Sequence, residues 1–423
     1  MSLRHDLRQL SKNELINIII DLKERLERVE AILNAYENPH TPSGKVRSKK
    51  NTVRDESKPR FPGKPEGGNG GGIDMPAPNK EERVSMNACP NCCRKLGKPY
   101  DTYSFTQMDI PEPGFVTTRY VVEMYKCKCG LEVAAGKGLH KGFYGPNVTA
   151  LMGVLKKEGL SYASISGLLQ DVHKLPISHV GVYGKLVKLT QVMGIERERI
   201  RKAVRKHEYV NMDETGLRED GRNGYVWSAS TPLHCLFEYN FSRGGEVAQG
   251  MLPDFKGVIV TDDYKGYLWA LQRQLCWAHL LREAKDFAEN NGAMVQYERL
   301  KTLYDKARRA QEVKNIKAYD KLACELEDIA TCYHPLDGCK TMYGKLHNRA
   351  ALWLLGVKQS NVPLTNNHAE RCLRKIVLHR NRIGCIRNKV GEAFVNVFLS
   401  CTSTWKLQGK STYQQLLNYA LAT

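Results

Sequence analysis

The chain has 423 residues, with 64 Lys plus Arg against 45 Asp plus Glu and a formal charge of +19, enough for several domains and a phosphate-rich partner. No run approaches the ~18 apolar residues of a membrane span, and Met-Ser-Leu-Arg-His-Asp at the N-terminus lacks the apolar core of a signal peptide. A membrane protein is therefore excluded, and a cytoplasmic, DNA-associated one is expected.

Taken in order, Ser11-Lys-Asn-Glu14 is a capping box. Behind it Leu15, Ile19, Leu22, Leu26, Val29 and Leu33 recur in alternating steps of four and three. That seam predicts a coiled coil over residues 1–37 that joins protomers into a homo-oligomer. Residues 38–83 turn to Pro, Gly, Ser and Lys, a composition that cannot bury enough apolar surface to order itself and reads as a disordered basic linker.

Five of the 13 cysteines fall between Cys89 and Cys129, and the rest are scattered. This favours a reducing compartment and one metal site over a disulfide framework. Cys89-Pro-Asn-Cys92 and Cys127-Lys-Cys129, with Thr117 to Tyr125 between them reading as a hairpin, predict a structural Zn²⁺ ribbon over residues 84–140.

Residues 141–200 carry three helical patterns. Pro146 opens the first, Ser161 caps the second and Ser178 the third, which follows a short turn holding Pro176. A tight turn before the last helix predicts a helix-turn-helix, with Lys185 and Lys188 presented to DNA. Packing of three helices without DNA is the alternative.

Residues 201–423 read as a catalytic domain. Tyr209 to Asp213, Tyr225 to Ser230 and Leu233 to Tyr239 alternate as a three-stranded meander, and Gly257-Val-Ile-Val-Thr261 is a strand buried on both faces. A helical insertion occupies about 280–355. Thr365 or Asn366 then caps a helix carrying Glu370 on the border of its apolar stripe. The expected fold class is thus multidomain α+β: a ribonuclease-H-like catalytic domain with a helical insertion, preceded by coiled coil, zinc ribbon and helix-turn-helix.

Three carboxylates carry the chemistry. Asp213 and Asp262 end apolar strands, and Glu370 lies one turn into its helix. Singly they read as a turn former, a helix cap and half of an ion pair with Arg374. Together they suit two hard cations that activate an attacking hydroxyl and stabilise the leaving oxygen of a phosphodiester. Glu214 and Asp263 are decoys, because neighbours on a strand point to opposite faces. Arg371 and Arg374 make the helix around Glu370 basic enough to meet DNA phosphates.

Asp213-Glu-Thr-Gly, Thr261-Asp-Asp-Tyr-Lys-Gly-Tyr, Cys276-Trp-Ala-His279 and Asn366-Asn-His-Ala-Glu-Arg closely resemble the large transposase of the insertion-sequence-66 type, a DDE transposase family. The resemblance implies that Asp213, Asp262 and Glu370 bind two Mg²⁺ (or Mn²⁺) ions. It also implies a role for Cys276 and His279 close behind those ligands. Asp263 stands where that family usually has glycine, so Asp262 and Asp263 both remain candidates for the second ligand. The implied activity is recognition of terminal inverted repeats, 3′-end cleavage and strand transfer to target DNA, with accessory proteins of the same element as further partners. A metal-dependent nuclease without strand joining, and a non-catalytic DNA-binding regulator, are the alternatives.

Overall fold

The computed structural model describes residues 23, 114–119, 124–126, 132–134, 143–333 and 340–421. The expected coiled coil, the linker and the cysteines Cys89, Cys92, Cys127 and Cys129 lie outside the described residues. Strand β1 (Met124–Lys126) pairs antiparallel with β2 (Glu132–Ala134). The partner of β1 therefore lies beyond the second cysteine pair, not within the insert where a hairpin was expected. Tyr125 pairs with Val133 in the middle of this ladder.

Four helices follow. Helix α1 (Pro146–Lys157) has proline at its first position, where the missing N–H costs nothing. The hydroxyl of Ser161 accepts from the Ser164 N–H at 3.0 Å and starts α2 (Tyr162–His173); that of Ser178 accepts from Gly181 at 3.2 Å and starts α3 (His179–Val192). The turn between them is pinned by Ser166 Oγ and Gln170 Nε2, which both donate to the Ile177 carbonyl, at 2.6 and 2.8 Å. Helix α4 (Gly194–Arg205) then leads into the sheet.

The sheet is mixed. Strands β3 (Tyr209–Gly216), β4 (Tyr225–Thr231) and β5 (His234–Asn240) form the antiparallel meander. Helix α5 (Gly245–Met251) crosses over to β6 (Val258–Thr261), which runs parallel to β3. One strand is additional to those expected. Gln272–Leu275, here β7, pairs parallel with β6 and completes the order β5-β4-β3-β6-β7. Its sequence Gln-Arg-Gln-Leu shows no strand pattern, and tertiary bonds place it. The buried Gln274 amide donates to the Trp353 carbonyl at 2.9 Å and accepts from the Gly356 N–H at 2.7 Å.

Two large apolar cores divide most of this part of the chain, and a small third one joins Val258 and Val260 of β6 to Val362. The first joins the sheet (Val210, Trp227, Phe237) to α2 and α3 (Ile165, Leu169, Val182, Leu189). The three helices read from sequence as a separate DNA-binding unit therefore share one core with the sheet. The second belongs to the insertion: α6 (Trp277–Asn291), α7 (Met294–Glu312), α8 (Ala318–Tyr333) and α9 (Lys340–His347), with helical turns Ala350–Trp353 and Leu355–Lys358. Trp277 and Trp353 are both fully buried there, and Trp277 Nε1 donates to the Trp353 carbonyl at 2.6 Å.

After the insertion, α10 (Asn367–Ile383) lies across β3 and β4 with Ala369, Cys372, Leu373 and Ile376 buried. Helix α11 starts as Lys389–Ala393, widens into a π-helical segment (Phe394–Leu399) and continues as Ser400–Leu407. It closes the open edge of β5. The N–H groups of Tyr239, Phe237 and Cys235 donate to the side chains of Asn396, Ser400 and Thr404 at 2.7, 2.8 and 3.0 Å. Every second strand residue, roughly 6.7 Å apart, meets every fourth helix residue, roughly 6 Å apart. An α-helix drifts about 40° over four residues, and the wider π turns offset that drift. Helix α12 (Thr412–Ala420) finally packs on α1.

Candidate active site

Register decides which carboxylates meet. Asn211 and Asp213 stand opposite Ser230 and Ser228 of β4, and paired residues of an antiparallel ladder share a face. Helix α10 covers this face. Asn366 at its start bonds the Asn211 side chain at 3.0 Å, and Glu370 follows one turn later. Asp262 directly follows β6, parallel neighbour of β3. The three acids named from the sequence thus come to one end of the sheet.

Their electrostatics support the grouping. Burial first, and then the carboxylates of Glu214, Asp262 and Glu370, push the Asp213 carboxyl well above its ordinary value; the Glu214 N–H, donating to Oδ1 at 2.9 Å, opposes this. Asp262 Oδ1 accepts from the Tyr264 N–H at 3.0 Å. Among the described residues, neither Asp213 nor Asp262 has an ion-pair partner within 4.0 Å. Glu370 lies 3.5 Å from His279 Nε2 and 3.8 Å from Arg282, while its Oε1 accepts no hydrogen bond.

The decoys are spent elsewhere. Glu214 is buried on the opposite face, where Arg243 donates from Nη2 at 2.8 Å and Nε at 3.1 Å, and the Tyr267 hydroxyl at 2.7 Å. Asp263 pairs with Arg349 from the insertion. Both carry their own cation, whereas Asp213 and Asp262 do not.

The Cys-x-x-His element grips the helix that bears Glu370. Cys276, fully buried, accepts from the Asn366 N–H at its Sγ at 3.0 Å, and its own N–H donates to the Thr261 carbonyl at 2.9 Å. One turn on, His279 faces Glu370. Burial lowers the His279 imidazole, and Glu370 works against that shift. Asn366 was expected as a helix cap, yet its side chain makes no cap bond; it reaches β3 instead. Nothing in the local pattern marks that role, nor those of Arg243, Tyr267 and Arg349.

Arg371 and Arg374 are exposed along α10 beside Glu370, Lys188 is exposed on α3 and Lys185 half-buried. Among the described residues, no three His, Cys, Asp or Glu side chains are grouped closely enough to cage a metal ion as placed. No described helix is long and apolar enough to cross a membrane.

A family model described as Transposase IS66 family matches residues 141–393, more than half of the chain. The chain belongs to the IS66 family of transposases. A comparison with curated proteins returned no match. The matched span of this transposase runs from the helices α1 to α3 through the sheet, the insertion and α10. Strands β3 and β6 and helix α10, and with them Asp213, Asp262 and Glu370, all fall inside it.

Proposed function

We propose that Asp213, Asp262 and Glu370 are the catalytic acids of a DNA transposase with a ribonuclease-H-like catalytic domain. On this reading the enzyme binds the terminal inverted repeats of its element, cleaves their 3′ ends and transfers the strands to target DNA. The observation that carries it is a group of three acids of which two, Asp213 and Asp262, have no ion-pair partner among the described residues. Asp262 and Glu370 add to the burial that raises the Asp213 carboxyl, while adjacent Glu214 and Asp263 are each paired with an arginine.

Hard oxygen donors with unbalanced negative charge fit divalent cations such as Mg²⁺ or Mn²⁺. Asp213, Asp262 and Glu370 would hold two of them, which supply activation of the attacking hydroxyl and stabilisation of the leaving oxygen. The protein's own part is placement. Asp213 is fixed by the strand backbone and Asp262 by the Tyr264 N–H, and the Glu370 carboxylate stands against His279. In the hydrolytic step, a water oxygen bonds to phosphorus as the bond to the departing oxygen breaks, and a 3′-hydroxyl is freed. In the joining step that hydroxyl attacks a target phosphodiester, so no protein nucleophile is used. Arg371 and Arg374, exposed and next to Glu370, meet the flanking phosphates. Lys185 and Lys188 on α3 contact the element end as part of a helix-turn-helix. Cys89, Cys92, Cys127 and Cys129 hold a structural Zn²⁺, and the N-terminal seam joins protomers.

The test incubates the purified protein with DNA carrying its flanking element ends and Mg²⁺, beside Asp213→Asn. Cleavage and joining by the wild type alone is the expected result. Equal cleavage by both proteins would show that Asp213 is not catalytic, and cleavage without joining would make the protein a nuclease. Replacing Cys89 should remove about one zinc per chain by metal analysis.

A further inference from the structure

We propose that Asn366 is the positioning residue that sets the spacing of the three acids, an inference that rests on the metal-binding reading of Asp213, Asp262 and Glu370. Asn366 is wholly buried, and its four polar groups reach, directly or through Cys276, the backbone beside all three acids. Its Nδ2 donates to the carbonyl of Met212, the residue before Asp213, at 2.7 Å. Its Oδ1 accepts from the Asn211 amide on the same strand at 3.0 Å. Its N–H donates to Cys276 Sγ at 3.0 Å, and the Cys276 N–H donates to the carbonyl of Thr261, the residue before Asp262, at 2.9 Å. Its carbonyl accepts from the N–H of Glu370 itself at 3.3 Å.

One residue therefore links the backbone beside Asp213, the backbone beside Asp262 and the helix turn that carries Glu370. The links span 154 positions to Met212 and 90 to Cys276, so no local element could hold this spacing. Asparagine suits the position. The side chain must donate and accept at once on a short arm; aspartate lacks the donor, glutamine is a methylene longer, and leucine offers neither. The amide orientation follows from its partner, since the Met212 carbonyl can only accept. Asn367, next in sequence, is exposed.

A buried amide that merely stabilised the fold would give a stability defect and nothing more. A positioning role predicts a metal-binding defect in a protein that is still folded. The test titrates full-length, DNA-free protein with Mn²⁺ and follows free Mn²⁺ by electron paramagnetic resonance. Circular dichroism and metal-free DNA binding monitor the fold. Asp213→Asn should lose the tight Mn²⁺ sites. Asn366→Ala should weaken them about tenfold or more, the usual scale for a residue that orients a ligand, with DNA binding unchanged. Should Asn366→Ala not fold, Asn211→Ala removes only the donor to Oδ1 and should shift Mn²⁺ affinity the same way by a smaller factor. Wild-type Mn²⁺ affinity in the folded asparagine variant, alongside a defective Asp213→Asn, overturns the positioning role. Wild-type affinity in Asp213→Asn overturns instead the reading of the acids on which that role rests.

Discussion

Arg349 donates to the carboxylate of Asp263 across 86 positions of sequence, and Lys345 Nζ stands 3.9 Å from the same carboxylate. The helical insertion thereby neutralises the acid adjacent to Asp262. Among the described residues, Asp262 itself keeps only the Tyr264 N–H and a long contact of 3.4 Å from the Thr261 hydroxyl. Of the two neighbours, Asp262 is the one left with charge for a cation.

Substituting the pair separates these roles. Asp262→Asn should lower cleavage of a labelled element end by ~10³-fold, the scale of removing a principal electrostatic contributor. Asp263→Asn should leave cleavage within several-fold of wild type. Because Asp263 and Arg349 are both partly exposed, their pair is worth about 1 kcal/mol or less in urea unfolding. Equal losses in the two variants would contradict the assignment.

The cost of the acid cluster shows in pH dependence. Burial first, then its carboxylate neighbours, hold the Asp213 carboxyl above its ordinary value of 3.8 in the folded chain. A group with a raised folded value contributes stability that is complete below the unfolded value and is lost as pH rises through the folded one. Asp213→Asn removes that charge. The metal-free variant should therefore melt above wild type at about pH 7.5, with the difference shrinking toward pH 4. Differential scanning calorimetry in chelator checks this, and a variant less stable than wild type at neutral pH contradicts it.

Burial raises the Glu214 carboxyl as well, with Tyr267 and Arg243 opposing the shift, but removing this acid has a different consequence. Its removal in Glu214→Ala leaves Arg243 and the buried Tyr267 hydroxyl without their acceptor. The expected loss is about 3 kcal/mol in urea unfolding, with metal-dependent cleavage retained per folded molecule. A catalytic defect in well-folded protein would bring Glu214 into the site.

The ladder on β5 can be opened one rung at a time. Asn396→Ala or Ser400→Ala strands the N–H of Tyr239 or Phe237 and should cost about 1–2 kcal/mol each. The double variant exposes two neighbouring strand donors, so light scattering on mild heating should rise before the sheet unfolds. Soluble, fully stable double variants would show that packing alone closes this edge.

Local chemistry was legible without coordinates. Pro146, Ser161 and Ser178 start helices where the sequence places them, because a first-turn proline and a capping hydroxyl act within four residues. The meander and the apolar β6 follow from side-chain alternation and a short buried run. The order strand, strand, helix for Asp213, Asp262 and Glu370 comes from the same patterns. Other features depend on polar groups that meet across long stretches of chain. Gln274 builds β7 from an unpatterned tetrapeptide, Arg349 pairs with one of two adjacent aspartates, and Asn366 joins β3 instead of capping its own helix. Such bonds have no period and carry no mark in the residues around them. Which backbone carbonyl a buried amide finds is settled only when distant elements pack, and tertiary structure alone decided it here.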